Sequence, residues 1–161
     1  HRKNGSSLGA IIEVRVKNCP IGIGEPIYQK LDSELSKAIM SINAVKGIEF
    51  GTGFNLVELD GTNSSDQMSI KKNKIKFHSN HAGGILGGIS SGQEIVFRYV
   101  VKPTSSVLSE KSTVTKNMKN SKVRTVGRHD PCVGIRAVPV GIAMTTFVIA
   151  DLLMISRSKL F

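Results

Sequence analysis

Tryptophan is absent from these 161 residues, and aromatic side chains make up only 5% of them. Base recognition draws on stacking surfaces as well as charge, so this scarcity argues against a nucleic-acid partner. No RRM, helix-turn-helix or zinc-knuckle spacing is present to offset it. Cysteine is scarce too: Cys19 and Cys132 lie far apart and outside CxxC spacing. Neither a disulfide framework nor a zinc site is suggested, no metal is expected, and a reduced cytoplasmic setting is the default. Carboxylates are few, 12 against 22 lysines and arginines, and the net charge of +10 favours anionic partners such as phosphates or carboxylates. With 40% hydrophobic residues and 5 prolines, the chain is expected to form one compact domain over residues 1–161.

Two further segments bear on class. The opening HRKNGSSLGA lacks the leucine-rich stretch and cleavage site of a signal peptide, and it has no initiator Met. It does not read as a native start. The apolar run from Val138 to Ile155 approaches membrane-spanning length, yet Pro139 opens it, Asp151 interrupts it and Arg136 stands just before it. A buried helix from about Pro139 to Ser156, and no membrane partner, is the reading.

Along the chain, Leu8, Ala10, Ile12, Val14 and Val16 alternate with Glu13, Arg15 and Lys17 as a strand with one buried face. Ile27, Leu31, Leu35, Ala38, Ile39 and Ile42 follow helical spacing, with Pro26 suited to the first turn and Asn43 to the stop. Val45 to Leu59 reads as two short strands around Gly51 and Gly53, KKNKIKF as a lysine-rich hairpin, and EIVFRYVV as a strand. This irregular order of strands and helices indicates an α+β layered domain.

Several constellations could carry chemistry. Gly83, Gly84, Gly87 and Gly88 could let backbone N–H groups approach an anion or a flat ring, or could serve close packing; spacing leaves both open. They do not form GxGxxG, so a dinucleotide fold is not supported. Lys102, Thr104, Ser105 and Ser106 put a cation and three hydroxyls at a strand end, suited to phosphate oxygens or to a plain polar turn. Around the bend GRHDPCVGIRAV, Arg128 and Arg136 are permanent bidentate donors for phosphate or carboxylate, with structural pairing as the alternative. His129 and Asp130 could move protons, though adjacent side chains on extended backbone point apart. His78 and His81 would need distant partners to hold zinc.

Four segments taken in order, IGEPIYQKLDSELSKAIMSINAVKGIEFGTGF, HAGGILGGISSGQ, KPTSS and GRHDPCVGIRAVP, resemble chorismate synthase over nearly the whole chain. The resemblance implies a β-α-β sandwich with helices layered between mainly antiparallel sheets, of which this chain is the C-terminal portion. It also implies a cytoplasmic, homotetrameric lyase of the shikimate pathway. Its reaction is the anti 1,4-elimination that turns 5-enolpyruvylshikimate 3-phosphate into chorismate and phosphate, with reduced FMN and with NADPH as reductant.

Carried over by position, Asn43, Ala44, Gly87, Lys102, Pro103, Thr104, Ser105, Ser106 and Arg128 are expected at the FMN, which favours the ligand reading of the glycine pairs. Arg128 also reaches the substrate phosphate, and Asp130 handles a proton near the flavin N5. Two departures stand out. The family's N-terminal half, with two catalytic histidines and several arginines, has no counterpart here, so this piece alone is expected to be inactive; a non-catalytic flavin- or phosphate-binding module is the alternative. After RAVP the chain reads Val140, Gly141, Ile142, where the family has a carboxylate near Ile142, and Gly141 in a helix costs about 0.5–1 kcal/mol relative to Ala.

Overall fold

The computed structural model describes residues 1–158. Its centre is a three-stranded antiparallel sheet in the order β1-β7-β2, formed by β1 (Ala10–Val16), β7 (Ile95–Val101) and β2 (Val45–Phe50). Alternation decides which face is buried. Ile95, Phe97, Tyr99 and Val101 of β7 point inward, and the register sets Val16, Val14, Ile12 and Ala10 of β1 beside them. Val45, Ile48 and Phe50 complete that face from β2, where a register shift falls between Val45 and Gly47. The opposite face mixes exposed Ile11 and Val100 with charged pairs, Arg15 bridging Glu13 and Glu94, and Arg98 paired to Glu49 at 2.8 Å.

Two helices cover the apolar face. In α1 (Leu31–Met40), Leu31, Leu35 and Ile39 recur every four residues and are fully buried. The helix starts later than its spacing predicts, because Tyr28 adopts a left-handed φ of 58° and Glu25 closes a turn with Gln29. Pro26 therefore belongs to the approach and not to the first turn. No side chain caps this start; instead the Leu31 N–H donates to the Gly88 carbonyl at 2.8 Å.

The long helix α2 (Gly134–Ser158) corrects two expectations. It begins before Pro139, which lies inside it. The carbonyl that Pro139 deprives of a donor belongs to exposed Ile135, where water can replace the lost bond. Nor is α2 a buried helix. Only 17% of its most apolar stretch is buried, although its length and composition alone would permit it to cross a membrane. Gly134, Ala137, Gly141 and Thr145 form a small-residue line along the inner side, while Ile135, Ile142, Phe147 and Met154 are exposed. That line lets α2 approach closely: a Cβ on Gly134 would overlap Ala10, and one on Gly141 would overlap the Tyr99 hydroxyl. Tyr99 passes over Gly141 to donate to the Ala137 carbonyl at 2.8 Å, so the glycine's helix cost has a structural return.

The remaining elements are small hairpins at the sheet's ends. β3 (Met68–Lys71) pairs with β4 (Lys74–Phe77) as the lysine-rich hairpin, turning through left-handed Lys72 and Asn73. β5 (Ile85–Leu86) pairs with β6 (Ile89–Ser90), and β8 (Lys111–Val114) pairs with β9 (Asn120–Val123). Where a second strand is predicted after Gly53, the chain forms a 3-10 helix over Gly53–Glu58. Its Phe54 N–H donates to the Glu49 carboxylate at 3.1 Å, a local bond that a strand would forgo.

Gly141→Ala is expected to destabilise the fold by about 1–3 kcal/mol through overpacking against Tyr99. Tyr99→Phe is expected to cost about 1 kcal/mol and to shrink the Gly141→Ala penalty, because the obstructing oxygen is gone. Urea unfolding of the two single variants and the double variant checks the coupling. An equal Gly141→Ala penalty in both backgrounds would clear the hydroxyl of the obstruction.

Candidate functional site

The strand β7 ends where the chain from α1 returns into β2, and one backbone bond joins the two places. The Lys102 N–H donates to the Ala44 carbonyl at 2.8 Å. Ala44 holds a left-handed φ of 71°, uncommon for a residue with a Cβ, and this kink turns the exposed Asn43 to the same end of the sheet. Asn43 and Ala44 thus stand beside Lys102, Pro103, Thr104, Ser105 and Ser106. Lys102 and Ser105 are exposed, Thr104 and Ser106 half-buried. Ser7 fixes the loop by donating its Oγ to the Thr104 carbonyl at 2.7 Å, and Lys111 Nζ donates to the Ser105 carbonyl at 2.6 Å.

The GRHDPC bend reaches the same end. Leu8 N–H donates to the Pro131 carbonyl at 2.7 Å, and Leu8 bridges Cys132, so the bend is anchored to the strand leading into β1. Arg2, Ser6, Ser106, Leu108, His129 and Asp130 border a small cleft between the bend and the Ser106 loop. Asp130 is held by Arg136, with Nε to Oδ2 at 2.7 Å and Nη2 to Oδ1 at 3.4 Å. Arg136 is therefore a structural partner. Arg128 is exposed and joins none of the ion pairs among the described residues, which leaves its guanidinium available to an anion.

Gly87 is not part of this group. It lies in the β5–β6 hairpin, which follows the segment packed on the start of β7, whereas Lys102 follows its end. At the strand rise the two ends are roughly 20 Å apart. Packing explains three of the four glycines: a Cβ on Gly83 would strike Gly51 and Val96 backbone, one on Gly84 the Glu94 backbone, and one on Gly88 the Lys30 side chain. Gly87, at φ 61°, faces open space.

The family model for chorismate synthase matches residues 1–154. The chain belongs to the chorismate synthase family. It is 55% identical over 158 residues to the chorismate synthase of Pelagibacter ubique and 56% identical over 159 residues to that of Parvibaculum lavamentivorans. These alignments cover 98% and 99% of the chain but 44% of each relative, so the chain spans less than half their length. Among solved structures, a crystal structure of chorismate synthase superposes with a TM-score of 0.76 at 31% identity, covering 96% of this chain and 40% of that one. The α+β fold is thus the family's fold.

One residue outside the family motifs quoted above organises the other end of β7. The Asp66 carboxylate accepts hydrogen bonds from Ser79 Oγ at 2.6 Å, His81 N–H at 2.7 Å and Ala82 N–H at 2.9 Å. His81 Nδ1 in turn meets Thr52 Oγ1 at 2.8 Å, so the ring ties the glycine segment to the β2 turn. Among the described residues no group of three His, Cys, Asp or Glu could hold a metal ion, and His81 serves this bond instead. Asp66 sits in a polar insertion without periodicity, and no local signal marks it.

Burial pushes the Asp66 carboxyl up, but hydrogen bonds from Ser79, Ala82 and His81 outweigh it and hold the group below its ordinary range. A folded-state pKa below the unfolded one contributes stability that is fully present above about pH 3.9 and is lost as pH falls through the folded value. Asp66→Asn is expected to lower stability at neutral pH and to flatten the acid limb below about pH 4. Urea midpoints measured down through that range check it; an acid limb as steep as that of the unaltered chain would assign the titration elsewhere.

Proposed function

We propose that this chain forms one wall of a chorismate synthase active site. The complete protein converts 5-enolpyruvylshikimate 3-phosphate to chorismate and phosphate by anti 1,4-elimination. The backbone bond between Lys102 and Ala44 supports this most directly, because it draws two sequence-distant ligand segments into one place. Membership of the family supplies the reaction class. The cytoplasmic homotetramer implied by the family is part of the same proposal, and the exposed apolar side of α2 suits further cover within such an assembly.

The residues present fit the phosphate end of FMN. Lys102 offers an exposed ammonium, Ser105 an exposed hydroxyl, and Pro103 fixes the backbone φ between them. When bound, FMN reduced with NADPH as reductant would lend electron density transiently to the substrate as its allylic phosphate leaves. Arg128 binds phosphate oxygens bidentately. Asp130 keeps acceptor sites free on its carboxylate beside Arg136 and takes up the proton. Asn43 and Ala44 line the same end, whereas Gly87 serves a contact far from the phosphate.

The chain alone is expected to release no phosphate from the substrate with reduced FMN. Joined to the preceding segment of the Parvibaculum lavamentivorans relative, it is expected to do so, with Arg128→Ala and Asp130→Asn lowering the rate at least about 100-fold. Phosphate release under anaerobic conditions is the readout. A folded hybrid that binds FMN without turnover would leave a flavin-binding module as the better reading.

A further inference from the structure

We propose that the β8–β9 hairpin is an electrostatic collecting arm that guides small phosphate-bearing anions to the cleft between Ser106 and Asp130. The proposed function enters only in naming FMN as one such anion. From Lys102 to Asp130 the chain carries seven cations, Lys102, Lys111, Lys116, Lys119, Lys122, Arg124 and Arg128, against two carboxylates. Both carboxylates are already engaged, Glu110 by Lys122 at 3.2 Å and Asp130 by Arg136 at 2.7 Å. This short segment therefore holds half of the chain's net charge of +10.

Packing does not require these cations, since every residue from Lys111 to His129 except Ser121 is exposed. A solvated surface is the plain alternative, and placement argues against it. The hairpin follows the segment Ser106–Leu108 and leads on to Gly127 and His129, and all of these border the cleft, so both of its ends open on it. Lys111 Nζ, bonded to the Ser105 carbonyl, ties its base to that loop. Ladder positions spread the charge over both faces: Lys111 stands opposite Val123 and Lys122 opposite Ser112, while Lys116 and Lys119 occupy the turn. Charge spread in this way makes a field and not a fitted pocket.

Such a field acts on the encounter, not on the bound state. It raises the local anion concentration and the association rate, and it fades beyond a Debye length of about 8 Å at physiological salt. The segment from Lys111 to Arg128 contains no aromatic residue to stack on a base, which favours compact anions over nucleic acid. The β3–β4 hairpin, with Lys71, Lys72, Lys74 and Lys76, lies near the opposite end of β7 and serves as an internal control.

The test is stopped-flow FMN association with the whole chain at low and physiological ionic strength, beside NMR titration with inorganic pyrophosphate. The triple variant Lys116→Gln, Lys119→Gln, Arg124→Gln is expected to slow FMN association about 10-fold at low salt, with the dissociation rate unchanged and the difference fading as salt rises. The control Lys71→Gln, Lys72→Gln, Lys74→Gln is expected to leave association as it was. If FMN fails to bind while pyrophosphate still shifts the cleft resonances less in the triple variant, the flavin reading fails and the arm stands. The arm is overturned by equal association in both variants, by equal slowing in both, or by failure of both anions to bind. Tighter binding of longer DNA strands through the same lysines would likewise overturn it, as a polyanion surface.

Discussion

Burial of one face of β7 is the constraint on which the rest of the molecule depends. Ile95, Phe97, Tyr99 and Val101 are almost wholly inaccessible, and both edges of the strand are paired. Slipping the register by one residue would turn Val96, Arg98 and Val100 inward and break the Arg98–Glu49 pair, so the register is strongly specified. Because the strand is fixed, its two ends are fixed as well. One end carries the glycine-rich segment held by Asp66; the other carries Lys102 and the hydroxyl loop.

The helices obey the same strand. α1 offers three large aliphatic residues to it, and α2 offers almost none near Tyr99. Close approach replaces bulk there: glycine and alanine let the aromatic ring reach across the helix, and the phenol finds a backbone acceptor. The arrangement sets the start of α2 against β1, which in turn anchors the GRHDPC bend through Leu8. A packing detail in the core thus bears on where Arg128 and Asp130 can stand.

At the site, charge is sorted by pairing. Arg136 engages Asp130, while Arg128 and Lys102 remain open to solvent. With the Asp130 charge offset by Arg136, the two unpaired cations leave a positive end to the sheet, and the hairpin beyond it extends that sign outward. The glycine-rich segment has a different task. Gly83 and Gly84 admit backbone against backbone at the start of β7, Gly88 makes room for Lys30, and Gly87 faces open space.

Local patterns were enough for much of this. The alternation in β1 and β7, the fourfold spacing in α1, the lysine-rich hairpin and the motifs shared with chorismate synthase all lie within single segments, where periodicity and turn residues act through neighbouring bonds. Even the candidate residues Lys102 to Ser106, Arg128 and Asp130 were legible as chemistry. What the chain's order could not specify was which segments meet. Asn43 and Ala44 come beside Lys102 through a bond between neighbouring strand ends, Arg136 takes Asp130, Asp66 takes the backbone at His81, and Gly141 yields to Tyr99. The starts of both helices differ from what Pro26 and Pro139 alone suggest for the same reason: a left-handed Tyr28 and an exposed Ile135 four residues before Pro139 are settled by surroundings, not by propensity. Sequence determined the elements and their chemistry, because those arise from local bonds; tertiary structure decided the pairings, because they arise from distant groups competing for the same core.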